Sequence, residues 1–375
     1  MLQFLWLGNP ENRRCQFFLD AAKQEGFPPP IVLSYETILT DPINWKSLLS
    51  TIDIVRLESP GENAAVAQGL LQWGAQHPAL KTPLSTTVPL PKGSLAGLRQ
   101  QHLGFLLVLE QVEKALAAFP KIQLVNSLDY IRLCFDKQQC HAHFAEQNIA
   151  VPSALYQIQN YEELRSKMAQ KGWNRVFVKP LHGSSASGVV AFRRQGQRLQ
   201  AITSVEMQQQ NGQVKLFNSL RLQKYTQEKD IALLLDHLAQ EEILVEQWIP
   251  KASLGEAVFD LRMVVVGGKC QHVVVRQSQS PLTNLHLGNQ RGSLALLQEK
   301  MGTKKWQAIQ QLVEQAAAVL PSHQYACLDV LVQADFKQSY ILEANAFGDL
   351  LPRVLYQEKN TYAAVLQHLK QWHYV

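Results

Sequence analysis

Near the end of the chain, oxygen-bearing side chains recur at a spacing that suits a hard cation. In CLDVLVQADFKQSYILEANAFGD, two apolar runs, Ala326 to Val332 and Tyr340 to Ala344, flank a polar connector, and this predicts an antiparallel hairpin. A three-residue loop of Asp335, Phe336 and Lys337 would set Asp329 opposite Glu343 and Cys327 opposite Asn345. Side chains two apart on a strand share a face, so Asp329, Glu343 and Asn345 would then point the same way. Facing carboxylates in apolar surroundings repel and lose hydration unless a cation lies between them. Magnesium is one such cation, since it takes one or two protein carboxylates and leaves room for phosphate oxygens. Basic side chains or solvent are the other solution.

A second stretch, VFVKPLHGSSASGVV from Val176 to Val190, carries phosphate-binding residue types in an unusual order. Gly183 and Gly188 have P-loop spacing, but Val189 and Val190 stand where that motif needs Lys and Ser or Thr. The lysine is instead Lys179, ahead of the glycines at the end of the run Val176 to Val178. A lysine on a strand end and a glycine loop from the next turn can approach a polyphosphate from two directions. The loop would bind through backbone N–H groups that no side chain obstructs. Ser184, Ser185 and Ser187 add hydroxyl donors. A plain polar turn and a solvated strand end are the competing readings, and the adjacent His182 reads as a surface residue.

The elements that must carry these residues alternate between strand and helix. Leu2 to Leu7, Ile31 to Leu33 and Ile52 to Leu57 read as strands, with a helix over Glu11 to Glu25, which implies a parallel sheet. Punctuation from Pro78 to Gly97 precedes a helix over Leu98 to Phe119. Asp129 to Gln147 and Asn160 to Lys171 read as helices, and Arg175 to Arg194 as strand, glycine loop, strand. Residues 195 to 225 are Gln-rich without clear periodicity, apart from a hairpin turn at Asn211-Gly212. Thr226 to Ala239 is an amphipathic helix, Ile243 to Trp248, Val258 to Val266 and Cys270 to Arg276 are strands, and Lys304 to Leu320 and Thr361 to Trp372 are helices.

Composition bounds the function. The chain has 375 residues with 46% hydrophobic content, enough for two or three domains with sizeable cores. Cys15, Cys134, Cys140, Cys270 and Cys327 are scattered without a CxxC pair, so neither a disulfide framework nor a zinc site is indicated. No window has the roughly 20 apolar residues of a membrane span, and Leu2 to Leu7 lacks the basic lead and length of a signal peptide, so a soluble cytoplasmic protein is expected. Residues 1 to 130 hold 10 basic and 11 acidic side chains and the remainder 26 and 20, which puts the positive excess downstream. Without a basic run or basic-aromatic repeat this suggests a small polyanionic ligand, with no nucleic-acid or membrane partner.

Taken in order, these motifs resemble the ATP-grasp superfamily, and within it the carboxylate-amine ligases of the glutathione synthetase and ribosomal-protein glutamate ligase type. The resemblance runs over roughly Asn126 to Val375. It carries Asp136-Lys137 ahead of Val151-Pro152, Lys179-Pro180, and the loop Gly183 to Gly188. It continues through ILVEQWIP from Ile243 to Pro250, Asp260 and Arg262 in FDLRMVVVGGK, Arg276, and the set Asp329, Glu343 and Asn345. It implies that Lys137, Lys179, Gly183, Ser184, Ser185 and Gly188 meet nucleotide phosphates, that Glu246, Gln247, Trp248 and Ile249 form a hinge whose backbone holds adenine, and that Asp260 binds on the nucleotide side. Glu256 is its rival for a ribose contact. Asp329, Glu343 and Asn345 would hold Mg²⁺, Arg262 and Arg276 would neutralise transferred phosphoryl oxygens, and Asn284, in NLHLGN, would face the substrate. In RLESPGEN, Arg56 and Glu58 share a face at the carboxyl end of a predicted strand, where open α/β sheets bind ligands; turn formation explains this stretch equally well.

The expected fold class is α/β, with an N-terminal Rossmann-like unit over residues 1–125 and a two-lobed α+β ATP-grasp unit over 126–375. Its lid lobe would cover about 150–245 and its catalytic lobe about 246–375. The expected reaction is ATP-dependent joining of a small-molecule or peptide carboxylate to an amine through an acyl phosphate. A hydroxyl-directed kinase of the same fold and a nucleotide-binding regulator without turnover are the alternatives. The sequence leaves the substrates and any assembly into homo-oligomers open.

Overall fold

The computed structural model describes residues 2–183, 187–210, 212–347, 351 and 353–373. Strands Phe4–Gly8, Ile31–Ser34, Ile54–Leu57 and Gln123–Leu124 form a parallel sheet whose two central members are the first and third. All five residues of Phe4–Gly8 are buried, as a strand covered on both faces requires. Helices Arg13–Gln24, Ala64–Gly74 and Leu98–Leu116 belong to this unit. Asn12 and Asn63 cap the first two, accepting from the N–H groups of Arg14 and Val66.

A second sheet is antiparallel and six-stranded, in the spatial order Ala154–Leu155, Ile243–Gln247, Arg175–Pro180, Val190–Gln195, Arg198–Gln210 and Gln213–Tyr225. One face buries Val176, Val178 and Val245 against Leu164 and Met168 of helix Tyr161–Gln170 and Leu234 and Leu238 of helix Glu228–Ala239. The two-residue period then leaves Phe177, Lys179 and Glu246 for the other face.

The third sheet, also antiparallel, runs Gln290–Gly292, Lys269–Ser278, Ala257–Val266, Tyr325–Val332 and Ser339–Asn345. Leu261, Met263, Leu328 and Val330 pack on Trp306, Ile309 and Val313 of helix Thr303–Ala318. On the opposite face Val264, Val266 and Cys327 pack with Tyr362, Val365 and Leu366 of helix Thr361–His373 and with Phe4 and Trp6 of the first sheet. All eight residues of Tyr325–Val332 are therefore buried, Asp329 among them.

The paired positions Asp329 with Glu343 and Cys327 with Asn345 are as expected, but the loop that gives them is not the three-residue one. The Gln333 N–H donates to the Gln338 carbonyl, closing a loop over 334–337 with Phe336 at φ 57°. That shifts the register by one, and an irregularity between Asp329 and Val330 shifts it back. The continuous helix expected over Asp129 to Gln147 is two helices, Leu128–Phe135 and Lys137–Glu146. Asp136 leaves the helical region at φ −115° and accepts from the Gln139 N–H, so a capping carboxylate interrupts a sequence whose periodicity reads straight through. Residues 198–225 form two 13-residue strands where the pattern was unreadable. Pairing passes from Thr203–Gln223 to Val205–Asn218, so residues 219–222 face a single residue, Ser204, and the two-residue alternation breaks. Gln210 pairs with Gln213 around the expected turn, of which Asn211 lies outside the described residues.

The first and second sheets are joined by main-chain and side-chain contacts. Leu95 donates to Leu216 O at 3.0 Å and Asn218 to Gly93 O at 2.7 Å. The Glu241 carboxylate accepts from the N–H groups of Gly97 and Arg99 and so caps helix Leu98–Leu116 from another sheet. Arg99 pairs with Glu242 at 3.1 Å. His102 stacks on His182 with ring centroids 3.8 Å apart and planes 9° from parallel. His182 is thus no surface residue: its side chain is 4% exposed, because it closes this junction.

Two measurements test this packing. Helices Ala64–Gly74 and Leu98–Leu116 touch through Gly74 and Gly104, and a Cβ on Gly104 would lie 1.9 Å from Leu70 O, which is backbone and cannot swing aside. Gly104→Ala is expected to destabilise by about 3 kcal/mol or more in urea unfolding, the upper range for forced overpacking; a change below about 0.5 kcal/mol would disprove the contact. Burial, then the neighbouring His182, Lys137, His77 and Arg99, pushes the His102 imidazole down to about 2. Its stability contribution is therefore complete above the ordinary value near 6.5 and is lost as pH falls from there toward 2. Between about pH 6 and pH 4 this group should remove up to about 1.4 kcal/mol per unit, and His102→Phe, which keeps a ring on His182, should show a shallower slope. Equal slopes in the two proteins would refute a buried neutral His102.

Candidate functional site

The inner faces of the second and third sheets enclose a cavity of about 290 Å³, with the carboxyl ends of the first sheet's strands contributing Ser59, Gly61 and Glu62 to its wall. On the second sheet Lys179 lies directly across from Leu244, so Glu246, two residues on, is its diagonal neighbour. The pair closes at 2.7 Å with the lysine side chain 12% and the glutamate 2% exposed. Glu246 Oε1 is buried without a hydrogen-bond partner among the described residues. From the opposite side Lys137, first residue of its helix, donates its ammonium to the carbonyls of Gly183 and Leu181. Both lysines thus line the cavity with Gly183.

On the third sheet, cross-strand register assembles the charges. Arg262 lies opposite Asp329, and Asp260 opposite Arg276. Arg262 grips Asp329 with two bonds, Nε to Oδ1 at 2.8 Å and Nη2 to Oδ2 at 3.0 Å, and Arg276 reaches the same Oδ2 at 3.0 Å. Arg276 Nε donates to Asp260 Oδ1 at 2.7 Å, while Asp260 Oδ2 takes Lys251 Nζ at 3.0 Å and the Thr283 hydroxyl. Burial alone would raise both carboxyls; Arg276 and Lys251 at Asp260, and Arg262 and Arg276 at Asp329, outweigh it and hold both below the usual carboxylate range. Burial likewise lowers Lys251, with Asp260 pushing back. Glu343 and Asn345 also line the cavity. Glu343, half-buried, carries no ion pair or hydrogen bond among the described residues, whereas Asn345 accepts from Arg262 at 3.5 Å and donates to Cys327 O.

The cavity therefore gathers Lys137, Lys179, Gly183, Glu246, Gln247, Ile249, Asp260, Arg262, Arg276, Asn284, Asp329, Glu343 and Asn345. Trp248 is displaced from the lining and packs on Phe177, ring centroids 5.1 Å apart. Gly188, at φ 76°, sits against Pro180 behind the wall, and Ser184 and Ser185 lie outside the described residues. Asn284 spends its side-chain oxygen capping a short turn, accepting from the His286 N–H. Glu256 is exposed and does not compete with Asp260. Arg56 is 1% exposed and lies among the rings of Phe18, Tyr325 and Tyr362, paired with Glu58; it is no part of the lining. Lys251, Thr283, Arg14 and Glu62 were not anticipated. Lys251 follows the hinge motif directly, and only its pairing with Asp260, set by the fold, distinguishes it from any post-proline lysine.

A model of the YheC/D like ATP-grasp family matches residues 127–346, more than half of the chain, and the chain belongs to that family. No curated protein matches the sequence. Among solved structures, the D-cycloserine synthetase DcsG is similar over 98% of this chain and 99% of its own, at TM-score 0.58 and 13% identity. The ATP-grasp ligase PsnB, complexed with its minimal precursor, aligns over 99% of each chain at TM-score 0.55 and 12% identity. D-alanine–D-alanine ligase from Bacillus anthracis, complexed with ATP, aligns over 99% of this chain and 97% of its own at TM-score 0.53 and 12% identity. These likenesses are of fold.

Neighbouring acids should respond differently to loss of charge. Asp329→Asn takes a charged partner from both Arg262 and Arg276 in a buried place, while Arg276 keeps Asp260, an effect of about 3 kcal/mol. Glu343→Gln removes no ion pair among the described residues and should stay within about 0.5 kcal/mol of the parent. Urea unfolding of both variants without nucleotide decides the matter: equal losses would contradict the assignment of the arginines to Asp329.

Proposed function

We propose that the protein is an ATP-dependent ligase that joins a carboxylate to an amine, with ADP and phosphate as the other products. The observation that carries this reading is the division of labour among the acids that the second and third sheets bring to the cavity: Asp260, Asp329 and Glu246 are held by cations, and Glu343 is left facing the cavity beside Asn345. An all-oxygen set of this kind suits magnesium and not zinc. Among the described residues the lining holds six cationic and five acidic side chains, a surplus too small to balance a triphosphate, so a divalent cation fits the charge as well. Asp329, Glu343 and Asn345 are the residues that would hold it. When bound, magnesium would neutralise phosphate oxygens and hold them in line for transfer.

In this reading ATP is a substrate, and Glu246 reads its base through the unpartnered Oε1. Lys137 and Lys179 exchange their present carbonyl and carboxylate partners for phosphate oxygens. A substrate carboxylate attacks the γ-phosphorus, the bond to the bridging oxygen breaks toward ADP, and Arg262 and Arg276 stabilise charge on the transferred oxygens. The amine then adds to the acyl carbon, phosphate leaves, and the proton passes from nitrogen to solvent. No covalent enzyme intermediate is required. The reading is supported by family membership and by neighbours of the same fold seen with ATP, in D-alanine–D-alanine ligase, and with Mg and ADP, in PsnB. We place the phosphate-covering lid at about residues 150–245, the catalytic lobe at about 246–375, and the preceding unit at 1–125.

Mg-ATP is expected to raise the melting temperature, in keeping with about 2.7 kcal/mol of added stability at a hundredfold excess over Kd, and Lys179→Ala to weaken that response. Pools of amino acids and peptides, screened with Mg-ATP for ADP and new masses, should yield ADP release that depends on an amine. ADP release that needs only a hydroxyl compound would indicate a kinase, and no melting shift at millimolar Mg-ATP would count against nucleotide binding. Glu343→Gln should fold normally and lose magnesium-dependent turnover; wild-type turnover across a magnesium titration would sink the metal assignment.

A further inference from the structure

Asp260 has more cation than it needs. Arg276 already neutralises it, through Nε at 2.7 Å, yet Lys251 is brought to its other oxygen at 3.0 Å with a side chain 8% exposed. Burying a second ammonium there is unfavourable in itself, and an apolar side chain of the same length would pack at least as well. The lysine's backbone is nevertheless anchored. Lys251 bridges to Gln333, Ala334 donates to Pro250 O at 2.9 Å, and Ala252 donates to Val332 O at 2.8 Å. Its ammonium therefore has a fixed origin and a fixed counterion, and what remains variable is what else it grips.

It grips Thr283. Lys251 Nζ donates to Thr283 Oγ1 at 2.6 Å, and that hydroxyl donates in turn to Asp260 Oδ2. Both roles of the hydroxyl are thus assigned, and Thr283 is 3% exposed. Thr283 precedes Asn284, whose side chain caps the turn Leu285–Leu287, and Asn289 closes the same turn by donating to the carbonyls of Leu282 and Asn284. Asn284 and His286 line the same cavity as Lys179 and Glu246. Leu282 is buried with Phe177 and Ala191, Leu287 packs on the same cluster and Leu285 on another, so Thr283 adds a polar tie at the start of a turn whose other polar residues are half-exposed or exposed.

We propose that Lys251 is a positioning residue for the substrate-side turn. Through Thr283 it locks residues 281–289 onto Asp260, and so onto the arginine that faces the phosphates. The inference takes the cavity to be the ligase site proposed above, with the turn on its amine side. Asp260 then serves two masters: Arg276 through one oxygen, and the turn through the other.

Hydrogen exchange of the full chain, without nucleotide, reads the lock directly. Lys251→Met, which keeps the length of the stem, and Thr283→Val should each speed exchange of the amides at 285–289 about tenfold, the loss of one buried hydrogen bond to a charged group. The double variant should be no faster than Thr283→Val, because that change already removes both bonds of the hydroxyl, of which Lys251→Met removes one. Thr283→Ser, which keeps the hydroxyl, should stay within about twofold of the parent. Exchange at 285–289 unchanged in Lys251→Met, or strands Ala257–Val266 and Tyr325–Val332 loosened as much as the turn, would overturn the proposal. With an amine substrate found by the screen above, Lys251→Met should raise the KM for the amine about tenfold and leave that for ATP within about threefold. The reverse split would make Lys251 a nucleotide contact instead. If no amine is found the ligase reading fails, and the exchange experiment still decides the lock.

Discussion

A carboxylate removed from water must find a cation, and the interior of this protein is arranged around that demand. Asp329 sits in the middle of a strand buried along its whole length. Left alone it would take up a proton or force the sheet open. Arg262 on the neighbouring strand and Arg276 one strand further supply the charge, and Asp260 holds Arg276 in place. The antiparallel register delivers all four without any loop, so the position of the charges is as rigid as the sheet itself. The packing follows from the same register: residues of odd and even number on these strands divide between the helix-covered core and the charged face.

The second sheet meets the same demand in a simpler way, with one diagonal pair, Lys179 and Glu246. Its opposite face is filled by two helices, its edge strand Gln213–Tyr225 is held to the N-terminal unit by Leu95 and Asn218, and the carboxylate of Glu241, ahead of Ile243–Gln247, holds it at a second place. The glycine loop springs from this sheet beside His182, which is stacked on a ring of the N-terminal helix. The loop's origin is therefore fixed by a different part of the chain from the part that carries the third sheet's charges. Both faces are anchored on the N-terminal unit, the second sheet through Leu95 and Gly97 and the third through Phe4 and Trp6, but each set of ion pairs is closed within its own sheet.

Much of this was legible in the sequence, for a reason that also explains the failures. Residues related by short-range rules were placed well. Asp329, Glu343 and Asn345 lie on one hairpin, and Lys179 and the glycines lie on one strand and its turn. The hairpin register came out as expected only because two irregularities cancel, a longer loop and a bulge, and neither leaves a mark in the residue types. Lys251, Thr283 and His102 gain their meaning from partners set by tertiary structure, and nothing in their neighbours distinguishes them. Asp136 was visible as part of a motif but not as the residue that breaks a helix, since capping competes with periodicity and won here. In Arg198–Tyr225 the alternation that marks a strand is erased where four residues face one.

The shared oxygens of Asp260 and Asp329 bear on how such a chain can drift. A lone pair of opposite charges can be lost by two substitutions, with one awkward intermediate. Here Lys251, Arg276 and Arg262 are joined through two acids, so losing Asp260 or Asp329 takes a carboxylate from two cations at once, whereas losing Lys251 leaves Asp260 with Arg276. The costly steps are those at the two acids, and the cluster they hold together is drawn from four different segments of the chain. Such a cluster should persist or vanish as a block across lineages, while the half-exposed turn beside it is free to vary residue by residue.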